Sequence, residues 1–279
     1  AGYIKAFNPQ PFHLEMGATE DEIAAYSIAM LEEQILMEGP NEIAAIMMES
    51  ICGAAGVLIH PEKYLQGVRA LCDKYEILLI LDEVMVGFGR TGKFWGFQNY
   101  EGVVPDIMTS AKGLSGSFLP LSVVGVKQEI KDHFMTSPLG WGATYQAHPV
   151  ALACAYESVK HMVKEDVVGH VKKMEPIFLN GIQSLIDEHP SVKQGRGIGL
   201  FGCIDTINAE GRLTQPLQGP ITERNIEFKK ALAENGVYGL LRLPLMHAAP
   251  PLIINEEELL DGFDRVHAAL EQSLDKDFK

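Results

Sequence analysis

Two residues thirty positions apart, Asp82 and Lys112, each close a short apolar run, and their types suit them to grip a ligand. Asp82 ends the run ILLIL at 77–81 and is followed at once by Glu83. Lys112 comes after the run Ile107–Thr109 and lies between Ala111 and Gly113, with Ser110 just upstream and no acidic residue within three positions after it or in the residues beside it. Small neighbours let a flat ligand approach the amine. A lysine whose ammonium is poorly solvated loses its proton more readily, and the free amine attacks a carbonyl. A buried carboxylate stripped of its partner costs on the order of 3–5 kcal/mol. Asp82 at a buried strand end therefore calls for a cation, either a ligand ring nitrogen or a protein arginine. Taken singly, each residue also has a plainer reading: a lysine on a solvated loop, and an aspartate capping the turn after a strand.

The elements around them favour the chemical reading. Apolar runs at 43–48, 77–81, 107–109 and 121–126 alternate with helical patterns, which is the mark of a parallel sheet covered by helices. Thr19 and Glu22 form a capping box that opens a helix running to Met37, and a second helical pattern runs from Pro61 to Lys74. In an open α/β sheet, ligands meet the carboxyl ends of the strands, and parallel strands bring those ends to one edge. Asp82 and Lys112 are thus expected to share a pocket.

Residues 148–188 read as helical, with interruptions at 165–169 and before Pro176. From 190 onward the pattern changes to a glycine-punctuated strand, a loop at 208–220, a helix from Thr222 to Glu234, two short strands and a last helix opened by Asn255 with Glu258. The expected organisation is a large α/β domain at 1–158, linking helices at 159–189 and a small α+β domain at 190–279. The opening stretch AGYIKAFNPQPFH reads like the middle of a connection.

Bulk properties remove several function classes. The formal net charge is −14, with no basic stripe, so neither nucleic acid nor an anionic membrane surface is an expected partner. No apolar stretch reaches the length of a membrane span. The four cysteines, Cys52, Cys72, Cys154 and Cys203, are widely spaced and form no zinc-binding or disulfide framework. No metal site is expected, and the cysteine usage fits a reducing compartment, cytoplasmic or an organelle matrix.

A carbonyl for Lys112 and a basic ring nitrogen for Asp82 are both supplied by pyridoxal phosphate, whose ring accepts carbanion electrons when that nitrogen is protonated. The motifs then extend the case. LDEVMVGFGRTGKFW and PDIMTSAKGLSGSFLPLSVVGV resemble the two central motifs of the class III (omega) aminotransferases, pyridoxal-phosphate-dependent enzymes of fold type I. MMESICGAAGVLIHP resembles the family's Glu-Pro-x-x-Gly-x-Gly-Gly segment, and GWGATYQAHPVALA its Gly-x-Thr-Tyr-x-x-His-Pro segment. GRGIGLFGCI and APPLIINEEELL continue the pattern into the small domain.

The resemblance implies a mainly parallel sheet flanked by helices, with a smaller α+β carboxyl-terminal domain. It makes Lys112 the residue that forms the Schiff base with the cofactor and then moves the substrate proton. Asp82 becomes the partner of the ring nitrogen, and Val84 packs on a ring face. Thr144 reaches the phosphate from a neighbouring subunit, with the Ala143 amide as a second donor. That arrangement implies a homodimer with shared active sites, acting on an amino donor and a 2-oxo acid acceptor. Arg242 lies near the place of the family's acceptor-carboxylate arginine, about two residues short in spacing, and Glu49 near the substrate. Arg90 and His148 read as structural.

Departures from the family keep other readings open. The family's amino-terminal part, with its phosphate loop and ring-stacking aromatic, has no counterpart upstream of residue 40, so strands of the sheet are expected to lack neighbours. Ser50 stands where relatives carry Pro, and Cys52 where many carry Gln. The leading expectation is transfer of an amino group from a primary amine or omega-amino acid to a 2-oxo acid. A catalytically silent subunit or fragment of a larger assembly, and an aminomutase on the same scaffold, are the alternatives.

Overall fold

A computed structural model describes residues 2–7, 9, 18–214, 220–242 and 244–278. Parts of the opening stretch and of the 208–220 loop lie outside the described residues. The chain divides into two compact units. The first comprises residues 1–51, 59–88 and 95–164, and the second 52–58, 89–94 and 165–279.

The first unit is built on a four-stranded sheet. Its strands are β1 (Ala45–Glu49), β4 (Leu78–Asp82), β5 (Ile107–Ser110) and β6 (Val123–Val126), in the order β1-β4-β5-β6. Two-residue strands β2 (Ile51–Cys52) and β3 (Leu58–Ile59) lie between β1 and the next helix. β1, β4 and β5 are parallel and β6 is antiparallel to β5. The helix Glu20–Glu38 carries the expected capping box and buries Ile23, Ala24, Leu31 and Ile35. It packs on the helix Glu62–Lys74, whose buried face is Tyr64, Leu65, Val68, Leu71 and Cys72. The apolar spacing on both helices is what makes this possible. β1 and β6 are the sheet's edges among the described residues, and Met47 and Val124 on them are 60% and 63% exposed.

Asp106 locks the start of β5. It is ion-paired with Arg69 at 2.8 Å and with Lys127 at 2.7 Å, and it accepts the Leu79 N–H at 2.7 Å. Burial alone would push its carboxyl up, but the Lys127, Leu79 and Arg69 contacts outweigh that and hold it below the usual carboxylate range.

The second unit is α+β. Strands β7 (Val192–Ile198), β8 (Phe201–Thr206), β9 (Leu240–Arg242) and β10 (Leu245–Ala248) form an antiparallel sheet in the order β7-β8-β10-β9. Helices Val167–Glu188, Glu223–Glu234 and Glu256–Glu271 share one core with the sheet, centred on Phe178, Ile182, Phe228 and Phe263. Thr222 caps the second of these helices, and Asn255 with Glu258 forms the capping box of the third.

Three details differ from the sequence reading. The helix Val167–Glu188 runs unbroken through Pro176. Proline removes one backbone bond there, at about 3 kcal/mol, while seven buried residues from Val167 to Leu185 hold the helix on its core. The helices of the 149–188 region do not form a separate linking segment: Pro149–Lys164 belongs to the first unit and Val167–Glu188 to the second. A helix at Gln128–Thr136, without a buried residue, was not anticipated, since its apolar face is short, Ile130 and Phe134 one turn apart.

Among the described residues, no helix is long and apolar enough to cross a membrane. No group of three or more His, Cys, Asp and Glu among them is arranged to hold a metal ion. All four cysteines are free thiols, and burial pushes the Cys72 thiol up to about 11 and that of Cys203 up to about 12, so these two act as packing residues.

Candidate active site

The sheet of the first unit sets the site in register. Glu49, Asp82 and Thr109 are paired in one row across β1, β4 and β5, at the carboxyl ends of three parallel strands. Apolar strand residues end at that row and polar ones begin, which is where an α/β sheet presents its ligands.

Lys112 follows Thr109 by three residues and opens the short 3₁₀ turn Lys112–Ser115. Its φ is +44°, in the left-handed region that costs a side-chain-bearing residue roughly 1–2 kcal/mol. Such strain clusters at functional sites. The turn is held by Leu114 N–H donating to Ala111 and Ser117 N–H donating to Lys112. The side chain is exposed, unlike the poorly solvated lysine expected above, and stands on the wall of an open cavity of about 680 Å³ with Ala111, Ser117, Phe118 and Leu119. Among the described residues, its ammonium has no hydrogen bond or ion pair.

Asp82 is half-buried. One carboxylate oxygen, Oδ1, accepts the Val84 N–H at 2.8 Å, so the residue also makes the turn-capping bond of the plainer reading. The other oxygen accepts no hydrogen bond among the described residues. Val84 itself is half-buried. The Glu49 carbonyl accepts a hydrogen bond from His60 Nε2 at 3.2 Å, which places the proton on that nitrogen because a carbonyl only accepts. Burial pushes the His60 imidazole down to about 4 against the pull of that carbonyl.

Glu83 is the residue whose role sequence reading missed. It is fully buried. Its carboxylate accepts from the Ser50 hydroxyl at 2.6 Å, from the Gly96 N–H at 2.5 Å and from the Phe97 N–H at 2.9 Å. Its own N–H donates to Thr109, and its carbonyl accepts from the Ser110 hydroxyl and the Gly87 N–H. One residue therefore joins the ends of β1, β4 and β5. Burial pushes its carboxyl up, opposed by the Ser50, Gly96 and Phe97 hydrogen bonds. The available signal was a carboxylate inside an apolar run, together with Ser50 in place of the family's Pro.

The remaining candidates lie elsewhere. Ala143 and Thr144 fall in an exposed stretch, where the Ala143 N–H donates to Gln146 Oε1 at 3.3 Å. No described contact joins either residue to Lys112 or Asp82. Arg242 ends β9 in the second unit and is exposed. Arg90, also in that unit, donates through Nη1 to the Leu200 and Pro250 carbonyls at 2.8 and 2.7 Å, and burial pushes it down to about 10.

The residues fit a flat aldehyde with a basic ring nitrogen at two of its three anchoring points. Among the described residues, an unpaired amine stands on a cavity wall for the carbonyl, and a carboxylate oxygen without a hydrogen-bond partner stands at the adjacent strand end for the nitrogen. The cavity is of the size that small molecules occupy, about 300–1,000 Å³, but its walls are residues 111–112 and 117–122, and Asp82 is not among them. For the third point, a phosphate, the candidates are Thr144 and the Ala143 amide, which the resemblance supplies.

Comparison with known proteins gives a consistent result. The model of the family "Aminotransferase class-III" matches residues 2–270. A probable gamma-aminobutyrate transaminase 4 of Oryza sativa subsp. japonica is 36% identical over 254 residues, covering 89% of this chain and 52% of the relative. The structure of a taurine:2-oxoglutarate aminotransferase from Bifidobacterium kashiwanohense, in complex with PLP and glutamate, superposes with a TM-score of 0.88 at 38% identity, covering 94% of this chain and 60% of that one. A thermostable (S)-enantioselective omega-transaminase from Thermomicrobium roseum superposes with a TM-score of 0.89 at 34% identity, covering 97% and 60%. The chain spans about half the length of the curated relative and three fifths of these structures.

Proposed function

The chain belongs to the class III aminotransferases, and from that premise we propose that it transfers an amino group from a primary amine or omega-amino acid to a 2-oxo acid, with pyridoxal phosphate as cofactor. The observation that carries this reading is Lys112 in a left-handed conformation, its amine unpaired among the described residues, in the turn just after the strand adjacent to the one that ends in Asp82. When bound, the cofactor supplies an electron sink that stabilises negative charge at the substrate carbon.

The chain's own residues do the rest. Lys112 would hold the cofactor through its amine and, when free of it, would serve as the base that takes up and gives back the substrate proton. Asp82 holds the ring nitrogen in its protonated form through the oxygen that Val84 leaves free. The Val84 side chain orients the ring by packing on its face. Thr144, with the Ala143 amide, contributes to the phosphate from a second copy of the chain in a homodimer. Glu49 is assigned to the substrate, and Arg242 is by its chemistry suited to bidentate binding of a carboxylate. Free, buried thiols support a reducing compartment, cytoplasmic or an organelle matrix.

The test is direct. The purified full-length protein, saturated with pyridoxal phosphate, should develop the visible absorbance band of a lysine-bound cofactor and convert an amine and a 2-oxo acid to their exchanged products. A protein without that band at saturating cofactor would sink the proposal. Isomerised amine in place of exchanged products would move it to the aminomutases.

A further inference from the structure

Glu83 is a buried carboxyl, pushed up by that burial, and no lysine, arginine or histidine among the described residues pairs with it. All three groups that hold it are neutral: one hydroxyl and two backbone N–H groups. Its chain neighbour Asp82 is itself acidic, and the Asp82 charge adds to burial in raising the Glu83 carboxyl. Two adjacent carboxylates at one strand end, with no protein cation between them, attract whatever cation the site admits. The enclosure around Glu83 is tight as well. A Cβ at Gly96 would lie 2.7 Å from the Ser50 oxygen and 2.6 Å from Val86 Cγ2, so the chain keeps a glycine where the backbone must come close enough to donate.

We propose that Glu83, held ionised by Ser50, is a positioning residue for the ring: its buried charge acts through Asp82 to favour a protonated ring nitrogen, without touching the ligand. This rests on the cofactor reading above. It goes beyond that reading because it assigns a second anion, and a serine hydroxyl that keeps it charged, to the recognition of the ring. A purely structural pin would hold the strand ends equally well for any ligand. An electrostatic role discriminates between ligands that differ only in the ring nitrogen.

The experiment uses the full-length protein as wild type, Ser50→Ala, Ser50→Thr and Glu83→Gln. Each is titrated with pyridoxal phosphate and with its carbocyclic analogue, in which a C–H replaces the ring nitrogen, and binding is read from protein fluorescence. Wild type is expected to prefer pyridoxal phosphate. Glu83→Gln should shrink that preference by about tenfold, the scale of one buried charge at short range. Ser50→Ala should shrink it by a smaller factor, and Ser50→Thr, which keeps the hydroxyl, should restore it. Equal weakening of both ligands would make Glu83 a pin only and overturn the inference. If Glu83→Gln does not fold, Ser50→Ala decides the matter on the same ratio. A wild type that binds both ligands equally well overturns the inference and leaves the cofactor reading standing, whereas one that binds neither overturns both.

Discussion

Asp82 faces Thr109 across the β4–β5 ladder, and the Thr109 carbonyl accepts the N–H of Glu83 at 2.8 Å, so the last residues of the two strands are tied together before either chain turns away. Lys112 leaves that tie after one short step through Ser110, whose hydroxyl bonds the Glu83 carbonyl at 2.9 Å. The amine and the carboxylate are therefore carried by one rigid edge, and constellations built on paired strand ends are held more firmly than those on free loops.

Removing the amine should separate chemistry from stability. Lys112→Ala takes away a side chain that is exposed and unpaired among the described residues, so unfolding in urea should change by no more than about 0.5 kcal/mol. Amino transfer should fall to background, and the visible band should not form. A variant that keeps turnover would show that another group carries the proton.

Relief of backbone strain gives the opposite sign. Lys112→Gly places glycine at φ +44°, where it meets no Cβ penalty, and should stabilise the apo protein by about 0.5–1 kcal/mol. Denaturant midpoints for the Gly and Ala variants, compared side by side, isolate this effect, because both lack the amine. Equal midpoints would remove the claim that the turn is strained.

Filling the space at Gly96 should damage the Glu83 enclosure. Gly96→Ala puts a methyl group 2.6 Å from Val86 Cγ2 and 2.7 Å from Ser50 Oγ, and overpacking of that kind costs about 1–3 kcal/mol. The thermal midpoint should drop accordingly. An unchanged midpoint would mean that the Ser50 and Gly96 contacts are not tight.

His60 sets a pH dependence with a definite window. Its folded value lies at about 4, against about 6.5 when unfolded. Above pH 6.5 it is neutral in both states and its contribution is complete. As pH falls from about 6.5 to about 4, the unfolded chain binds a proton that the folded chain refuses, so stability declines by up to about 1.4 kcal/mol per pH unit. Urea unfolding of wild type and His60→Leu across that range should give converging stabilities toward pH 4, the variant losing the slope. Parallel curves would contradict the burial argument.

Asp106 acts in a different window. Its carboxyl is held below the usual range in the folded state, so its stabilising contribution is full above the unfolded value of about 3.9 and is lost as pH drops through the folded one. Asp106→Asn should lower stability at neutral pH by about 1–3 kcal/mol, because Arg69 loses one charged partner while keeping Asp73 at 2.8 Å. It should also flatten the acid limb below pH 4. Acid denaturation followed by circular dichroism would show this, and an acid limb as steep as wild type would refute it.

Much of this was legible in the chain itself. Apolar runs ending in Asp82 and just before Lys112 announced a parallel sheet with its ligand edge, because side-chain period and turn residues are local properties. The capping boxes at Thr19 and Asn255 fixed two helix starts for the same reason. Ordered motifs supplied the family. What the sequence could not contain was the row Glu49–Asp82–Thr109, since register depends on which strands pair. Nor could it show that Glu83, one residue past Asp82, turns into the interior to meet Ser50, Gly96 and Phe97, groups 33, 13 and 14 positions away. A buried carboxylate is decided by the donors that tertiary folding gathers around it, and no local pattern encodes where those donors will come from.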